Sequence, residues 1–206
     1  MTELLLVRHG QASHNLDGRW EGWGSTPLTP EGERQAEALA KRLAQWTPRI
    51  SQIVTSPLRR ARQTAEPIAR LLGLPVQNHE GLREINFGQV SGLTMEGLRE
   101  TMPDVYARWQ DRSDMTFQFP GGEQRSAFFQ RVLSALNDLI ASAGEGTLVV
   151  VSHGGTLRAG LAYLFPETMQ DWWGYALENA SLTQVRVGSG DNVLVALNDR
   201  SHLDGG

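Results

Sequence analysis

The sequence contains no cysteine. Disulfide bonds, thiolate metal sites and cysteine nucleophiles are therefore excluded, and a reducing cytoplasmic location is the simplest expectation. An excess of positive charge is missing as well, because 19 Lys and Arg residues stand against 23 Asp and Glu residues and leave a net charge of −4. This balance argues against a nucleic-acid partner. An anionic ligand would have to be bound by positive charge that is concentrated locally.

Lysine is nearly absent. Lys41 is the only lysine, and it lies within a predicted helix among charged neighbours. A Walker A lysine and a Schiff-base lysine in a pocket are therefore excluded. Because every other Lys or Arg position is an arginine, the presence of an arginine says little about function. Its position in the sequence is what carries information.

Long hydrophobic runs are also lacking. The apolar segment 4–7 is short, follows no basic leader and ends at Arg8. It predicts neither a signal peptide nor a membrane span, so no membrane partner is expected. With 206 residues, 40% of them apolar, the sequence predicts one domain over 1–206 with a sizeable core. The tail at 199–206 is expected to fray.

The sequence instead alternates short apolar runs with segments of helical periodicity. Strands are predicted at 4–7, 53–55, 147–151, 181–187 and 193–197, the last two as a hairpin, and helices at 30–46, 57–72, 123–143 and 156–165. Pro67 is expected to kink the second helix or to divide it. Strands separated by helices predict an α/β fold with a mainly parallel sheet that is covered on both faces.

The ends of three predicted strands carry matching chemistry. These ends are Arg8-His9-Gly10, the segment 55–60, and Ser152-His153-Gly154-Gly155. Ligands of open α/β sheets collect at the carboxyl ends of strands. Since arginine forks match phosphate oxygens and helix N-termini add N–H donors, the pattern predicts a phosphate site that contains both histidines. His14 and His79 lack such a setting and are interpreted as surface or loop residues.

A metal site is the weaker interpretation of the same residues. His9 and His153 could bind a metal together with Glu84 or an aspartate. However, Arg8 and Arg60 would repel a cation, and neither a His-x-His nor a His-Glu-x-x-His spacing occurs. No metal is therefore expected.

The strand-end motifs belong to an ordered series of blocks that spans nearly the whole chain. The segment Leu6-Val7-Arg8-His9-Gly10-Gln11 with Asn15 resembles the signature of the histidine phosphatase superfamily, also called the phosphoglycerate-mutase-like family. Five further blocks follow in the family's order, at 27–32, 55–65, 82–84, 120–123 and 151–155. The resemblance implies a single histidine phosphatase domain with a three-layer α/β/α sandwich and a mostly parallel central sheet.

The resemblance also implies a role for each matching residue. His9 matches the phosphate-accepting nucleophile, and His153 matches the second catalytic histidine. The remaining matches are Arg8 and Arg60 for the phosphate-gripping arginines, Glu84 for the acid/base group, and Asn15, Gln11 and Gly154 for further phosphate contacts. Arg60 is preferred over Arg59 because it directly precedes Ala61, as in the family, and Arg59 is then a surface residue.

The implied chemistry requires no cofactor. A neutral His9 ring that is oriented through its other nitrogen can attack phosphorus, and neighbouring arginines keep the ring unprotonated. Arg8, Arg60 and a protonated His153 would stabilise the transferred group without magnesium. Glu84 would protonate the leaving oxygen and then activate the hydrolytic water.

Two groups of residues have a second interpretation at this point. Glu84 could instead form a salt bridge with Arg83 or Arg99 at a helix edge. The aromatic residues of 172–175 could form an exposed patch for self-association, although packing into the core is the commoner role of such residues.

Four positions depart from the family pattern. Ala12 stands where the family usually has Thr, Ser25 where Asp is common, and Val90-Ser91 where Trp-Glu is frequent. None belongs to the five catalytic positions. They bear on substrate recognition instead, since the segment 86–122 is expected to cap the crevice.

Three functions remain open at this point. Hydrolysis of small phosphate monoesters, with broad specificity, is favoured because the block 120–123 looks like that of the small phosphatases and little chain follows the last predicted strand. The alternative is a 2,3-bisphosphoglycerate-dependent phosphoglycerate mutase, whose family members resemble longer chains. A non-catalytic phosphate-binding module is less favoured because no catalytic residue is lost. The expected partner is a small phosphorylated metabolite, and the chain is expected to be a monomer or homodimer.

Overall fold

A six-stranded sheet lies at the centre of the protein, in a computed structural model that describes residues 1–168, 171, 173–188 and 190–204. The strands are β1 (Thr2–Arg8), β2 (Ile50–Thr55), β3 (Val76–Asn78), β4 (Thr147–Ser152), β5 (Leu182–Val187) and β6 (Val193–Asp199). Their order across the sheet is β3-β2-β4-β1-β5-β6.

The pairing of the strands is mixed. Parallel pairs join β3 to β2, β2 to β4 and β4 to β1, whereas β1–β5 and β5–β6 are antiparallel. This confirms the mainly parallel sheet and its antiparallel hairpin, and adds β3, which the sequence did not predict. In the β1–β4 pair, Arg8 lies opposite Ser152. The residues that follow these two strands, His9 and His153, therefore emerge side by side.

Helices cover both faces of the sheet. They are α1 (Ser13–Leu16), α2 (Pro30–Leu43), α3 (Arg59–Leu72), α4 (Met95–Thr101), α5 (Pro103–Gln110), α6 (Arg125–Ala143) and α7 (Gly154–Leu164), with short 3₁₀ helices at Glu80–Leu82, Gly88–Val90 and Ser201–Leu203. Within the described ranges, none of these helices has the length and apolarity that crossing a membrane would require.

Alternate residues of β1 divide the core into two halves, as the two-residue period of a strand requires. Leu4 and Leu6 pack in a cluster with residues of α6 and α7, and Leu5 and Val7 pack in a second cluster with residues of α2 and α3. All four leucine and valine side chains are buried. The three-layer α/β/α sandwich is thereby confirmed.

The start of α2 is as predicted and the start of α3 is not. Thr29 caps α2 by accepting a hydrogen bond from the Gly32 amide, with Pro30 at the first helical position. In contrast, α3 begins at Arg59, and Ser56 does not cap it. Sequence reasoning placed this start two residues too early because Ser-Pro imitates a helix start.

The interior proline of α3 neither divides the helix nor ends it. Pro67 lies within a continuous helix, which ends where Gly73 adopts a left-handed conformation with φ of +67°. Division of the helix at Pro67 was therefore wrong, and the alternative of a kink stays a prediction. Pro67 is buried, and the helix continues past it despite the backbone hydrogen bond that a proline cannot donate.

The tail also differs from expectation for residues 199–204. Asp199 is the last residue of β6, and Ser201–Leu203 form a 3₁₀ helix. Arg42 of α2 forms an ion pair with Asp199 and lies 3.1 Å from Ser201 Oγ and 3.3 Å from His202 Nδ1. These contacts attach the tail to α2, so fraying is not observed there.

The segment 86–122 has a core of its own. Phe87, Trp109, Phe117 and Phe119 are buried together and pack against the side of α6. The sequence did not predict α4 and α5 within this segment, because both helices are short and neither shows a long apolar stripe.

Arg125 is the polar centre of that aromatic core. It is fully buried, and its guanidinium donates hydrogen bonds to the backbone carbonyls of Trp109, Asp111 and Asp114. The same group lies 5.1 Å from the Phe117 ring. Arg125 therefore ties the loop after α5 to the first turn of α6.

We expect Arg125→Gln to lower the free energy of unfolding by about 2 to 4 kcal/mol, because several buried carbonyl groups lose their donor. Arg108→Gln is the matched control. Arg108 is exposed, with a single ion pair to Asp114, and its loss should cost at most about 1 kcal/mol. Urea unfolding followed by circular dichroism measures both variants. Equal losses would show that Arg125 does not hold the segment.

Candidate active site

A crevice of about 190 Å³ opens beside the carboxyl ends of β1 and β4, where ligands of α/β sheets bind. Its wall contains six of the residues predicted from the sequence, namely Arg8, His9, Asn15, Arg60, Glu84 and Gly154. His153 is buried next to it, with its ring centroid 5.1 Å from that of His9. The structure thus brings the two histidines together.

The His9 ring is held in one orientation. Its Nδ1 lies 2.7 Å from the Gly10 carbonyl oxygen, to which it donates, and its Nε2 lies 3.2 Å from Nε of Arg60. Burial, followed by the charges of Arg60 and Arg8, holds the pKa of His9 well below its ordinary value of 6.5. His9 is therefore neutral at neutral pH, with a lone pair on Nε2.

His153 differs from the sequence expectation in its charge. Burial and the charge of Arg60 hold the pKa of His153 well below 6.5, so the ring is neutral in the free site rather than protonated. Its Nε2 lies 2.8 Å from Ser56 Oγ, and its buried Nδ1 has no partner among the described residues. A neutral ring can still donate one N–H group to an anion.

The two predicted phosphate-gripping arginines lie near His9, where Arg60 is buried and Arg8 is partly buried. Arg60 donates through its terminal nitrogens to the carbonyl oxygens of Gly22 (2.8 Å) and Gly24 (3.1 Å), and Arg8 donates to that of Leu177. Burial lowers the pKa of Arg8 to about 10, and the charge of Arg158, an arginine described below, adds to this effect. Both side chains remain positively charged at neutral pH.

Arg59 is exposed, which confirms its interpretation as a surface residue. Arg59 and Arg60 are the first two residues of α3, and Arg60 is the one that is buried and contacts His9. The choice of Arg60 over its neighbour is therefore supported by burial as well as by motif.

Glu84 lies over the N-terminus of α7. Its carboxylate accepts hydrogen bonds from the amides of Gly155 (2.9 Å) and Thr156 (3.2 Å). A Cβ atom on Gly155 would lie 2.4 Å from Glu84 Oε1, so only glycine leaves room for the carboxylate there.

The salt-bridge alternative for Glu84 was wrong. Arg83 pairs with Glu80, and Arg99 pairs with Glu96. Because each of these arginines has an acidic partner three residues away on its own segment, the carboxylate of Glu84 is left to face the crevice.

Asn15 and Gln11 have different positions. Asn15 lines the crevice, and its Oδ1 accepts hydrogen bonds from the Ala12 amide (2.9 Å) and from Asn179 (3.1 Å). Gln11 is absent from the described crevice wall, and its side chain accepts a hydrogen bond from the Thr29 hydroxyl at 2.8 Å. Gln11 therefore supports the start of α2, and its phosphate contact stays a prediction.

Sequence reasoning missed a histidine and a glutamate in the wall. His14 lies with its ring centroid 6.0 Å from that of His9, and its Nδ1 lies 2.7 Å from Glu21. Burial raises the pKa of Glu21, but contacts with His14, Thr26 and Arg60 outweigh it and lower the pKa to about 2. The interpretation of His14 as a surface or loop residue was wrong, because α1 turns its side chain inward.

An arginine on α7 was missed as well. Arg158 lines the crevice and stacks on Trp173, with the guanidinium carbon 5.2 Å from the ring centroid. A signal was available, because Arg158 follows Gly154 by four residues and must lie on the same side of the helix.

The aromatic residues of 172–175 that the structure describes pack against other residues of the fold. Trp173 packs edge-on against Trp109 at 5.0 Å, and Tyr175 packs on the core cluster below α7. Trp172 lies outside the described residues. Core packing, and not an exposed patch, is the role of Trp173 and Tyr175.

Comparisons with known proteins agree with this arrangement. The family model of the histidine phosphatase superfamily (branch 1) matches residues 4–200. The chain belongs to this family.

Individual relatives cover nearly the whole chain. Phosphoserine phosphatase 1 of Hydrogenobacter thermophilus is 32% identical over 98% of this chain and 95% of its own length. A glucosyl-3-phosphoglycerate phosphatase of Mycobacterium tuberculosis is 34% identical over 88% and 84%, respectively. The crystal structure of a phosphoserine phosphatase mutant from Entamoeba histolytica, in complex with phosphoserine, superimposes with a TM-score of 0.86 at 30% identity, covering 98% of this chain and 100% of that one.

The neutral, buried histidines predict a pH-dependent stability. Since the folded pKa values of His9 and His153 lie below the unfolded value of 6.5, the unfolded chain binds more protons as the pH falls below 6.5. The free energy of unfolding should therefore decrease from pH 7 to pH 5, with each histidine contributing up to about 1.4 kcal/mol per pH unit.

The measurement is urea unfolding at several pH values in buffers without phosphate. A double variant, His9→Gln with His153→Gln, should show a flatter dependence than the unmodified protein, and His79→Gln should not. Parallel curves for all three proteins would contradict the assignment.

Proposed function

We propose that the protein hydrolyses small phosphate monoesters through a phosphohistidine intermediate on His9, without a metal ion. The observation that carries this proposal is the orientation of His9 in the crevice wall: its Nδ1 donates to the Gly10 carbonyl oxygen, and its unprotonated Nε2 accepts a hydrogen bond from Nε of Arg60. A neutral, oriented imidazole is the form that can act as a nucleophile.

The reaction proceeds in two balanced steps. In the first, Nε2 of His9 forms a bond to phosphorus while the bond from phosphorus to the ester oxygen breaks, and the carboxylic acid of Glu84 gives its proton to that oxygen. In the second, the carboxylate of Glu84 takes a proton from water, which attacks the phosphohistidine and releases inorganic phosphate. His9 and Glu84 are then restored.

Positive charge replaces a metal ion in this proposal. Arg8 and Arg60 flank His9, and the N-terminus of α7 adds the backbone N–H donor of Gly154. Phosphoryl transfer requires chiefly positioning and charge stabilisation. These cationic groups would also repel a divalent ion, and no cluster of His, Asp and Glu suited to metal binding occurs among the described residues.

The size of the crevice supports a small molecule as the substrate. Its volume is about 190 Å³, and the rings of Trp20, Phe87 and Trp173 form part of its wall. Such a space fits a phosphoryl group with a few further atoms and does not fit a folded macromolecule. The relatives named above, phosphoserine phosphatases and a glucosyl-3-phosphoglycerate phosphatase, support phosphate monoesters as the substrate class.

His9→Ala should reduce hydrolysis of p-nitrophenyl phosphate, measured with a chelator present, by at least about 1,000-fold, because no other group replaces the nucleophile. The unmodified protein, quenched during turnover, should carry a phosphoryl group that is stable to base and labile to acid. His79→Ala is the control, since His79 caps a 3₁₀ helix outside the crevice.

Two results would overturn the proposal. Retained activity in His9→Ala would reject the nucleophile, and loss of the unmodified protein's activity in chelator would reject metal independence. Conversion of 3-phosphoglycerate into its isomer faster than release of phosphate would instead indicate a mutase.

Glu84→Gln tests the acid/base role. Because a poor leaving group needs its proton most, we expect a fall of about 100-fold or more for an alkyl phosphate such as glycerol phosphate, and a much smaller fall for p-nitrophenyl phosphate in the phosphorylation step. Pre-steady-state bursts separate that step from hydrolysis of the intermediate. Glu80→Gln, at an exposed glutamate, is the control. An equal fall in the burst rate for both substrates would contradict the acid role.

A further inference from the structure

Arg158 lies in the crevice wall and has no part in the mechanism above. It stands one helical turn after Gly154 on α7, so both residues face the crevice. A Cβ atom on Gly154 would lie 3.5 Å from Nη1 of Arg158 and 3.7 Å from Nε of Arg8. The two guanidinium groups therefore flank the same point at the N-terminus of the helix.

The side chain of Arg158 is fixed from two directions. Its Nε donates to the Tyr175 carbonyl oxygen at 2.8 Å, and the Tyr175 hydroxyl donates back to the Arg158 carbonyl oxygen at 2.8 Å. Trp173 supports the flat side of the guanidinium at 5.2 Å. An arginine held in this way loses little further freedom when it binds a ligand.

The terminal nitrogens of Arg158 are unused. No hydrogen bond or ion pair within the described part of the chain involves its Nη1 or Nη2, whereas those of Arg60 donate to Gly22 and Gly24. Such a pair of parallel N–H donors matches the two oxygens of a carboxylate. Arg158 is thus equipped to bind a planar anion.

The position of Arg158 puts this anion beside the phosphoryl group and not in its place. Arg60 contacts His9 directly, with 3.2 Å between its Nε and Nε2 of His9, whereas Arg158 lies across Gly154 from Arg8. Arg8 and Arg158 repel each other, and nearby glutamates offset this repulsion in part. A substrate carboxylate beside the two guanidinium groups would offset the remainder.

We propose that Arg158 binds a carboxylate of the substrate, so that the preferred substrates are phosphate monoesters that carry a carboxylate group a few atoms from phosphorus. This inference rests on the proposed phosphatase function and specifies its substrate class. Arg158 is a specificity-determining residue in this proposal. It takes no part in the transfer of the phosphoryl group.

Two pairs of substrates isolate the carboxylate. Phosphoserine and phosphoethanolamine differ only by that group, and 3-phosphoglycerate and glycerol 3-phosphate differ by a carboxylate against a hydroxymethyl group, without an ammonium group in either. The unmodified protein should favour the carboxylate member of each pair in kcat/KM by about 10- to 100-fold, the value of a charge-assisted hydrogen-bond pair.

Arg158→Gln should remove this preference, mainly through a higher KM for the carboxylate members, and leave the other two substrates within about 3-fold. Arg158→Lys keeps the positive charge but lacks the pair of parallel N–H donors, so it should recover only part of the preference. Arg59→Gln is the control at an exposed arginine. An equal loss for all four substrates, or no preference in the unmodified protein, would overturn the proposal.

A failure of the phosphatase function itself would look different, because then none of the four substrates nor p-nitrophenyl phosphate would be hydrolysed. Calorimetric binding of phosphoserine and phosphoethanolamine to His9→Ala, with and without Arg158→Gln, tests the carboxylate contact without turnover. Equal affinities of the two ligands for His9→Ala would also reject the proposed contact between Arg158 and the carboxylate.

Discussion

The parallel pairing of β1 with β4 is the constraint on which the site depends. Because Arg8 and Ser152 are partners in this register, the next residue of each strand places an imidazole at the same edge of the sheet. A shift of one residue would turn one of the two side chains to the opposite face. The buried, apolar character of both strands makes such a shift costly, so the core of the sandwich fixes the geometry of the crevice.

The second constraint is charge. Burial lowers the pKa values of Arg8, Arg60 and Arg158, and for Arg8 the charges of Arg158 and Arg60 add to this effect. Burial and the charges of Arg60 and Arg8 also keep both histidines neutral. The carboxylate of Glu21 contacts His14 and Thr26 and lies 3.5 Å from Nη1 of Arg60, so it offsets part of the charge of Arg60. Arg158 has no ion pair among the described residues, and binding of an anion beside it would stabilise the fold.

The sequence predicted five of the six strands, the hairpin and most residues of the site, because strand ends and helix starts have strong local signals. The three-residue strand β3 was missed, since it is too short to show a pattern. His9 and His153 follow apolar runs directly, and Thr29-Pro30 marks a helix start. Residues placed by tertiary packing escaped prediction. Glu21 comes from an irregular loop without periodicity, and Gln11 belongs to the motif yet turns towards Thr29. Only Arg158 among the missed residues had a readable signal, its four-residue spacing from Gly154.

Arg60 has two tasks, and this affects how kinetic data on the enzyme should be interpreted. The guanidinium that touches His9 also fastens the loop at 22–24 through two carbonyl groups. A substitution at this position therefore loosens a wall of the crevice at the same time as it removes a charge from the reaction centre. The resulting drop in turnover would combine disorder of the loop with lost electrostatic stabilisation. Separating these two contributions requires an independent measurement of the mobility of the loop.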